Sequence, residues 1–132
     1  MVEATEAALA LADLEKAEEL LAITDALDPG ELTPYLHANT ARLRARLDAA
    51  RGNHDPVEDR FRNAAGVFRE LGLVFHLAVT QLEHAEWLSA QHRVAEAEPL
   101  LAEARRTFEQ LQATPWLERT AQAATSQFVT RS

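Results

Sequence analysis

Residues Arg51–Leu71, RGNHDPVEDRFRNAAGVFREL, decide the reading of this chain, because they come back forty residues later at Gln91–Leu111 as QHRVAEAEPLLAEARRTFEQL. Val57 falls on Ala97, Phe61 on Leu101, Ala64 on Ala104, Phe68 on Phe108 and Leu71 on Leu111. A fainter copy lies forty residues earlier, with Ala17, Leu21 and Thr24 in the first three places. The apolar places of the central copy, 57, 61, 64, 68 and 71, are spaced four, three, four, three. That spacing puts them on one face of an α-helix and on both faces of a strand. Each copy is therefore a helix with one apolar stripe, which it must bury against neighbours. A fixed period of about 20–50 residues marks a stacked helical repeat, whose units bury together what none can bury alone.

Working outward, the spacing predicts seven helices. Residues 1–12 suit a short first helix, and Asp13 is placed to cap a second over 14–27. Asp28-Pro29-Gly30 is a stop signal. Thr33-Pro34 reads as N-cap and first helical position of a third helix over 34–51, ended by Gly52-Asn53. Asp55-Pro56-Val57-Glu58 has the form of a capping box with proline at the first helical position, and Gly72 suits the left-handed residue closing the fourth helix. The fifth helix is expected over 74–90. The sixth is expected over 94–111, starting late or kinking at Pro99. The seventh is expected over 115–128, opened by Thr114-Pro115. Short turns make neighbours antiparallel. The expectation is an all-α, right-handed stack of hairpins at 2–27, 34–71 and 74–111, capped by 115–128, with a loose tail at 129–132. Leu117 and Phe128 in the cap repeat Leu77 and Leu88. Gly52, Ala45, Ala85, Ala64 and Ala104 fit close helix–helix approach.

Composition narrows the function. With 132 residues the chain has room for one modest domain. Its 47 % hydrophobic content argues against disorder throughout. A net charge of −8 and a pI near 5.1 argue against a general nucleic-acid binder, which needs a basic surface to displace counterions. No apolar run approaches the roughly 20 residues that span a bilayer. Cysteine is absent, so there is no disulfide and no thiolate metal site. A cytoplasmic location fits these features.

The residues Leu43–Gly52 and Val57–Phe68, with their echoes at 83–92 and 97–108, resemble the tetratricopeptide repeat. In that family a small residue sits in the first helix of each hairpin, as Ala45 and Ala85 do here. A glycine-like turn follows, Gly52 in one copy and His92 in the other. The second helix opens on an alanine-like place, Val57 or Ala97, then a large apolar residue, Phe61 or Leu101, then a small one, Ala64 or Ala104. The period of forty exceeds the family's 34, which implies longer helices. Residues 10–122 are further similar to the C-terminal helical-repeat region of large bacterial signalling ATPases, which carry a nucleotidyl cyclase domain or a DNA-binding helix-turn-helix elsewhere in the chain. That resemblance implies a fragment whose catalytic parts lie outside it, since no G-x-x-x-x-G-K-[ST] phosphate loop is present.

The resemblance also places candidate binding residues. In tetratricopeptide stacks the first helix of each hairpin lines a concave groove. Carried over by position, this gives Asn39, Arg42 and Arg46 on the third helix and Val79, Leu82, Glu86 and Ser89 on the fifth. The first three share a stripe that could grip a carboxylate or an acidic peptide. Val79 and Leu82 would form an apolar floor, or the place where a second copy docks. The plainer reading of Arg42, Arg44, Arg46 and Arg51 is a face paired with Asp48 and with acids on adjacent helices.

His76, His84 and His92 are spaced by eight near Glu83 and Glu86, but successive steps of eight turn the side chain about 80° on a helix. The Glu-x-x-His pairs of carboxylate metal bundles are missing as well, so no metal and no cofactor is expected. Trp87 and Trp116 read as packing residues. Serine occurs only at 89, 126 and 132, never in a nucleophile elbow. The expected function is a non-catalytic protein-interaction or regulatory module. Its partner would be a protein, a peptide, another domain of the parent chain or a second copy, with no nucleic acid bound directly and no membrane. The alternative is a sensor that holds a small effector between hairpins.

Overall fold

The computed structural model describes residues 2–28, 30 and 32–131, with side chains up to 125. The described residues form seven α-helices and no strand: α1 (Val2–Ala10), α2 (Leu14–Asp25), α3 (Pro34–Ala50), α4 (Val57–Glu70), α5 (Val74–Ala90), α6 (Val94–Gln110) and α7 (Thr114–Arg131). They fall into two compact units, residues 1–71 and 72–132. In the first, α1 packs on α2, α2 on α3 and α3 on α4, and α1 also reaches α3. In the second, α5 packs on α6, α6 on α7, and α5 also reaches α7.

The forty-residue period is written into the backbone. The residues with left-handed φ are Ala12 at +59°, Gly52 at +79° and His92 at +62°, and then Gly72 at +69° and Gln112 at +54°. Each of the first three closes the first helix of a hairpin, and the last two close second helices. At four of these ends the same pair of bonds recurs. Ala12 N–H donates to the Leu9 carbonyl and Asp13 N–H to that of Ala8, at 3.1 and 2.8 Å. Gly52 and Asn53, His92 and Arg93, and Gln112 and Ala113 repeat those two spans, three and five residues back. This is the Schellman closure, which satisfies carbonyls that a helix end otherwise leaves bare. A β-carbon added at Gly52 would meet nothing within 4 Å. The glycine there serves its positive φ and not a close helix approach.

Helix starts are less uniform. Asp13 Oδ1 accepts from Lys16 N–H at 3.2 Å and Thr33 Oγ1 from Leu36 N–H at 3.1 Å, so these two caps form as the sequence suggests. The Asp55 capping box does not. α4 starts at Val57 with Pro56 as its uncapped flanking residue, because Val57 N–H bonds back to the His54 carbonyl in a turn. Pro99 neither delays nor ends α6, which starts at Val94. Proline removes one bond to a carbonyl in the first turn, and the buried neighbours Ala97 and Leu101 hold the helix on either side. α7 continues through Arg131, past the stop expected at 128; Ser132 and the side chain of Phe128 lie outside the described residues.

The repeated apolar places are the core. Ala17, Val57 and Ala97 are fully buried, as are Ala64 and Ala104, and Leu21, Phe61 and Leu101 are at most 5 % exposed. Thr5, Ala45 and Ala85 give a small buried residue at one place in all three first helices. A threonine also recurs at period forty: Thr40, Thr80 and Thr120 each donate from Oγ1 to the carbonyl four residues back, at 2.7–2.8 Å. That bond satisfies a hydroxyl on a packed helix face without a partner from elsewhere.

Candidate functional site

The residues singled out for a groove are distributed between the two units, Asn39, Arg42 and Arg46 in the first and Val79, Leu82, Glu86 and Ser89 in the second. Within the first unit the structure brings its three together, around Glu6 of α1. Arg42 Nη2 donates to Glu6 Oε1 at 2.9 Å and Arg46 Nη1 lies 3.5 Å from the same oxygen. Asn39 Oδ1 accepts from Arg42 Nη2 at 3.4 Å, while Asn39 Nδ2 donates to the Tyr35 carbonyl at 3.2 Å. Asn39 is 1 % and Arg42 5 % exposed. The carboxylate these arginines meet is Glu6, on the chain's own first helix.

In the second unit, Leu82 is fully buried and Val79 is 7 % exposed; Leu82 packs with Leu88, Leu101 and Phe108 in one cluster. They are core residues and not an open floor. Glu86 forms a two-pronged pair with Arg119 of α7, Oε2 to Nε at 2.9 Å and Oε1 to Nη2 at 2.6 Å. Arg119 in turn lies over Trp116, 5.5 Å from the ring centre. Ser89 is half-buried. Glu6 and Glu86 stand two periods apart, and each ties its helix to the next helix but one, α1 to α3 and α5 to α7.

The other arginines are used in the same way. Arg44 Nη1 donates to Glu18 Oε2 at 2.5 Å and Nη2 pairs with Asp25, so one guanidinium clamps two carboxylates of α2. Burial works against its charge, but the hydrogen bonds to Asp25 and Glu18 outweigh this and hold it above its ordinary pKa. Arg51 Nη1 lies 3.8 Å from the same Glu18 oxygen. Asp48 pairs across to Arg60 of α4 at 3.0 Å.

The aromatic residues pack. Phe75, Phe108 and Trp116 form a triad with ring centres 5.6–6.1 Å apart, Trp116 stacked on Phe108 at 19°. Trp87 lies 6.3 Å from His84 and carries the Arg93 guanidinium at 5.6 Å. Among the described residues no group of three His, Asp or Glu is placed to hold a metal ion, and no helix is long and apolar enough to cross a membrane.

The second unit has a cleft of about 280 Å³ between α6 and α7. Leu101, Ala102, Thr120, Ala121 and Ala124 line it together with Glu98 and Arg105. Sequence reasoning missed it, because the groove was sought on the first helices of the hairpins. The signal available was the period itself, which sets Ala124 against Arg44 and Arg105 against Asp25.

No family model matches the chain, and no curated protein or solved structure matches it either.

Proposed function

We propose that this chain is a non-catalytic interaction and regulatory module, built as a tetratricopeptide-like α-solenoid of antiparallel hairpins within a bacterial signalling protein. The observation that carries it is the recurrence of one hairpin frame, with left-handed closures at 12, 52 and 92 and at 72 and 112. Architectures that repeat a unit spend their sequence on surface, and their characteristic use is to hold another chain. Electrostatics agrees: Arg42, Arg44, Arg60 and Arg119 are paired with carboxylates of the chain itself, a use in assembly. The similarity of residues 10–122 to the repeat regions of bacterial signalling ATPases supplies the signalling context. A small-effector sensor has less support, since the α6–α7 cleft, at about 280 Å³, lies below the roughly 300–1,000 Å³ of drug-sized sites.

The test is photo-crosslinking in the native cell, with a benzophenone side chain placed in turn at exposed Glu15, Arg62 and Arg106. A holding module gives a discrete product from one face and not from the others. Absence of any discrete product from all three positions overturns the reading.

A further inference from the structure

The cleft between α6 and α7 has a counterpart two periods earlier, between α2 and α3. Five of its lining residues are the same residue eighty positions back: Glu98 and Glu18, Leu101 and Leu21, Ala102 and Ala22, Thr120 and Thr40, Ala121 and Ala41. The connectors differ, 26–33 in one junction and 111–113 in the other, yet the register holds on both sides of them. Two lining places differ, and they hold the charge. Arg44 of α3 becomes Ala124 of α7, and Asp25 of α2 becomes Arg105 of α6. At the first junction the Arg44 side chain, 17 % exposed, reaches across to Glu18 and Asp25. At the other, alanine leaves the space open, with the leucine, alanine and threonine surround retained.

We propose that the α6–α7 cleft is an arginine seat, which takes the side chain of an arginine presented by a partner protein as the α2–α3 junction takes Arg44. This rests on the interaction-module reading and names what the module grips. The guanidinium is the occupant this lining suits, because Glu18, the counterpart of Glu98, already holds one in this chain and the apolar and threonine places beside it are the same residues. Contacts that Glu98 makes within the chain do not bar it, since Glu18 serves Arg44 at 2.5 Å and Arg51 at 3.8 Å together. Arg105, where the first junction has Asp25, removes one of the two carboxylates. Its side chain is 64 % exposed and pairs along its own helix with Glu109 at 3.5 Å, so its charge is largely screened by water. The seat therefore binds reversibly where the α2–α3 junction is permanently filled.

The experiment is methyl NMR on the full chain, following Leu101, Ala102, Ala121 and Ala124 during titration with N-acetyl-arginine amide, N-acetyl-lysine amide and free L-arginine. The arginine amide shifts these methyls and the lysine amide does not, because a planar fork suits the seat and a point charge does not. Arg105→Asp, an exposed change that restores the second carboxylate, tightens binding about three- to tenfold. Ala124→Arg fills the seat from within, abolishes the shifts and raises the melting temperature. The proposal is overturned if neither wild type nor Arg105→Asp responds to the arginine amide, or if Ala124→Arg leaves the shifts unchanged. It is equally overturned if free L-arginine binds more tightly than the capped form, which would make the cleft a metabolite site. A silent cleft together with discrete crosslinks from Glu15, Arg62 or Arg106 would remove the arginine seat and leave the interaction module standing.

Discussion

The two units carry the same hairpin frame and hold it together differently. In residues 1–71 the first hairpin is joined to α3 by a modest cluster of Ala8, Ala17, Leu21, Leu43 and Leu47, ringed by Glu6 with Arg42 and Arg46 and by Glu18 and Asp25 with Arg44. In residues 72–132 the corresponding work falls to a larger apolar cluster and the Phe75, Phe108 and Trp116 triad, with the Glu86–Arg119 pair at its margin. The recurrence of closures thus fixes where helices end in both units. It leaves open whether charge or aromatic surface fills the seam.

The contrast is broken most severely at Phe108, fully buried and stacked on Trp116. Phe108→Ala should cost about 3–5 kcal/mol, the sum of lost transfer energy and the cavity left behind. Urea unfolding gives the total, and hydrogen exchange should place the loss of protection in α5–α7. Next comes Arg44→Met, which strands Glu18 and Asp25 without their shared guanidinium. Because Glu18 and Asp25 are 41 % and 55 % exposed, the cost should be about 1–2 kcal/mol, well below that of a fully buried pair. The companion measurement is salt: raising NaCl to about 1 M should weaken protection in α1–α2 while leaving the α5–α7 core unchanged. Equal salt responses in the two units would remove the distinction drawn above.

Smaller changes sharpen the shared frame. His92 and Gln112 hold left-handed φ without being glycine, as Gly52 and Gly72 do at corresponding ends. His92→Gly and Gln112→Gly should each stabilise by about 0.5–1 kcal/mol, the left-handed strain of an L-residue less the entropy glycine adds to the unfolded chain. Calorimetry on both variants decides it, and a lower melting temperature in either would mean the replaced side chain contributes more than its strain. The smallest effect is expected for Thr80→Val, under about 1 kcal/mol, because the His76 carbonyl that accepts its hydroxyl can keep a helical backbone partner.

Much of the frame is legible in the sequence. Apolar spacing located all seven helices to within a few residues, and Gly52 and Gly72 marked two of the turns. The period placed Ala45, Ala64, Ala85 and Ala104 in the core, where each is fully buried. Partners of charged groups were not legible in the same way. Nothing in the local run Arg42–Arg51 says that Glu6, thirty-six residues earlier, turns inward to meet Arg42. Long flexible side chains leave no periodic trace, and a carboxylate on a helix surface looks alike in sequence whether it faces water or a guanidinium. The Asp55 capping box failed for a related reason, since a four-residue turn from His54 to Val57 uses the backbone bond first. The α6–α7 cleft was hidden because an alanine gives no sign of a missing neighbour until it is set beside Arg44.

The recurring helix closures have a consequence for how such a chain can change length. Asp13, Asn53 and Arg93 each donate to a carbonyl five residues back, and they stand forty apart. Translation by forty residues therefore maps every closure of a first helix onto another of its kind. An insertion or deletion of that size returns each face to the sort of neighbour it had before. A change of twenty would exchange first helices for second ones and set charged seams against apolar stripes. The molecule has a natural quantum of growth, and its seams, charged in one place and aromatic in another, record how differently the same quantum can be finished.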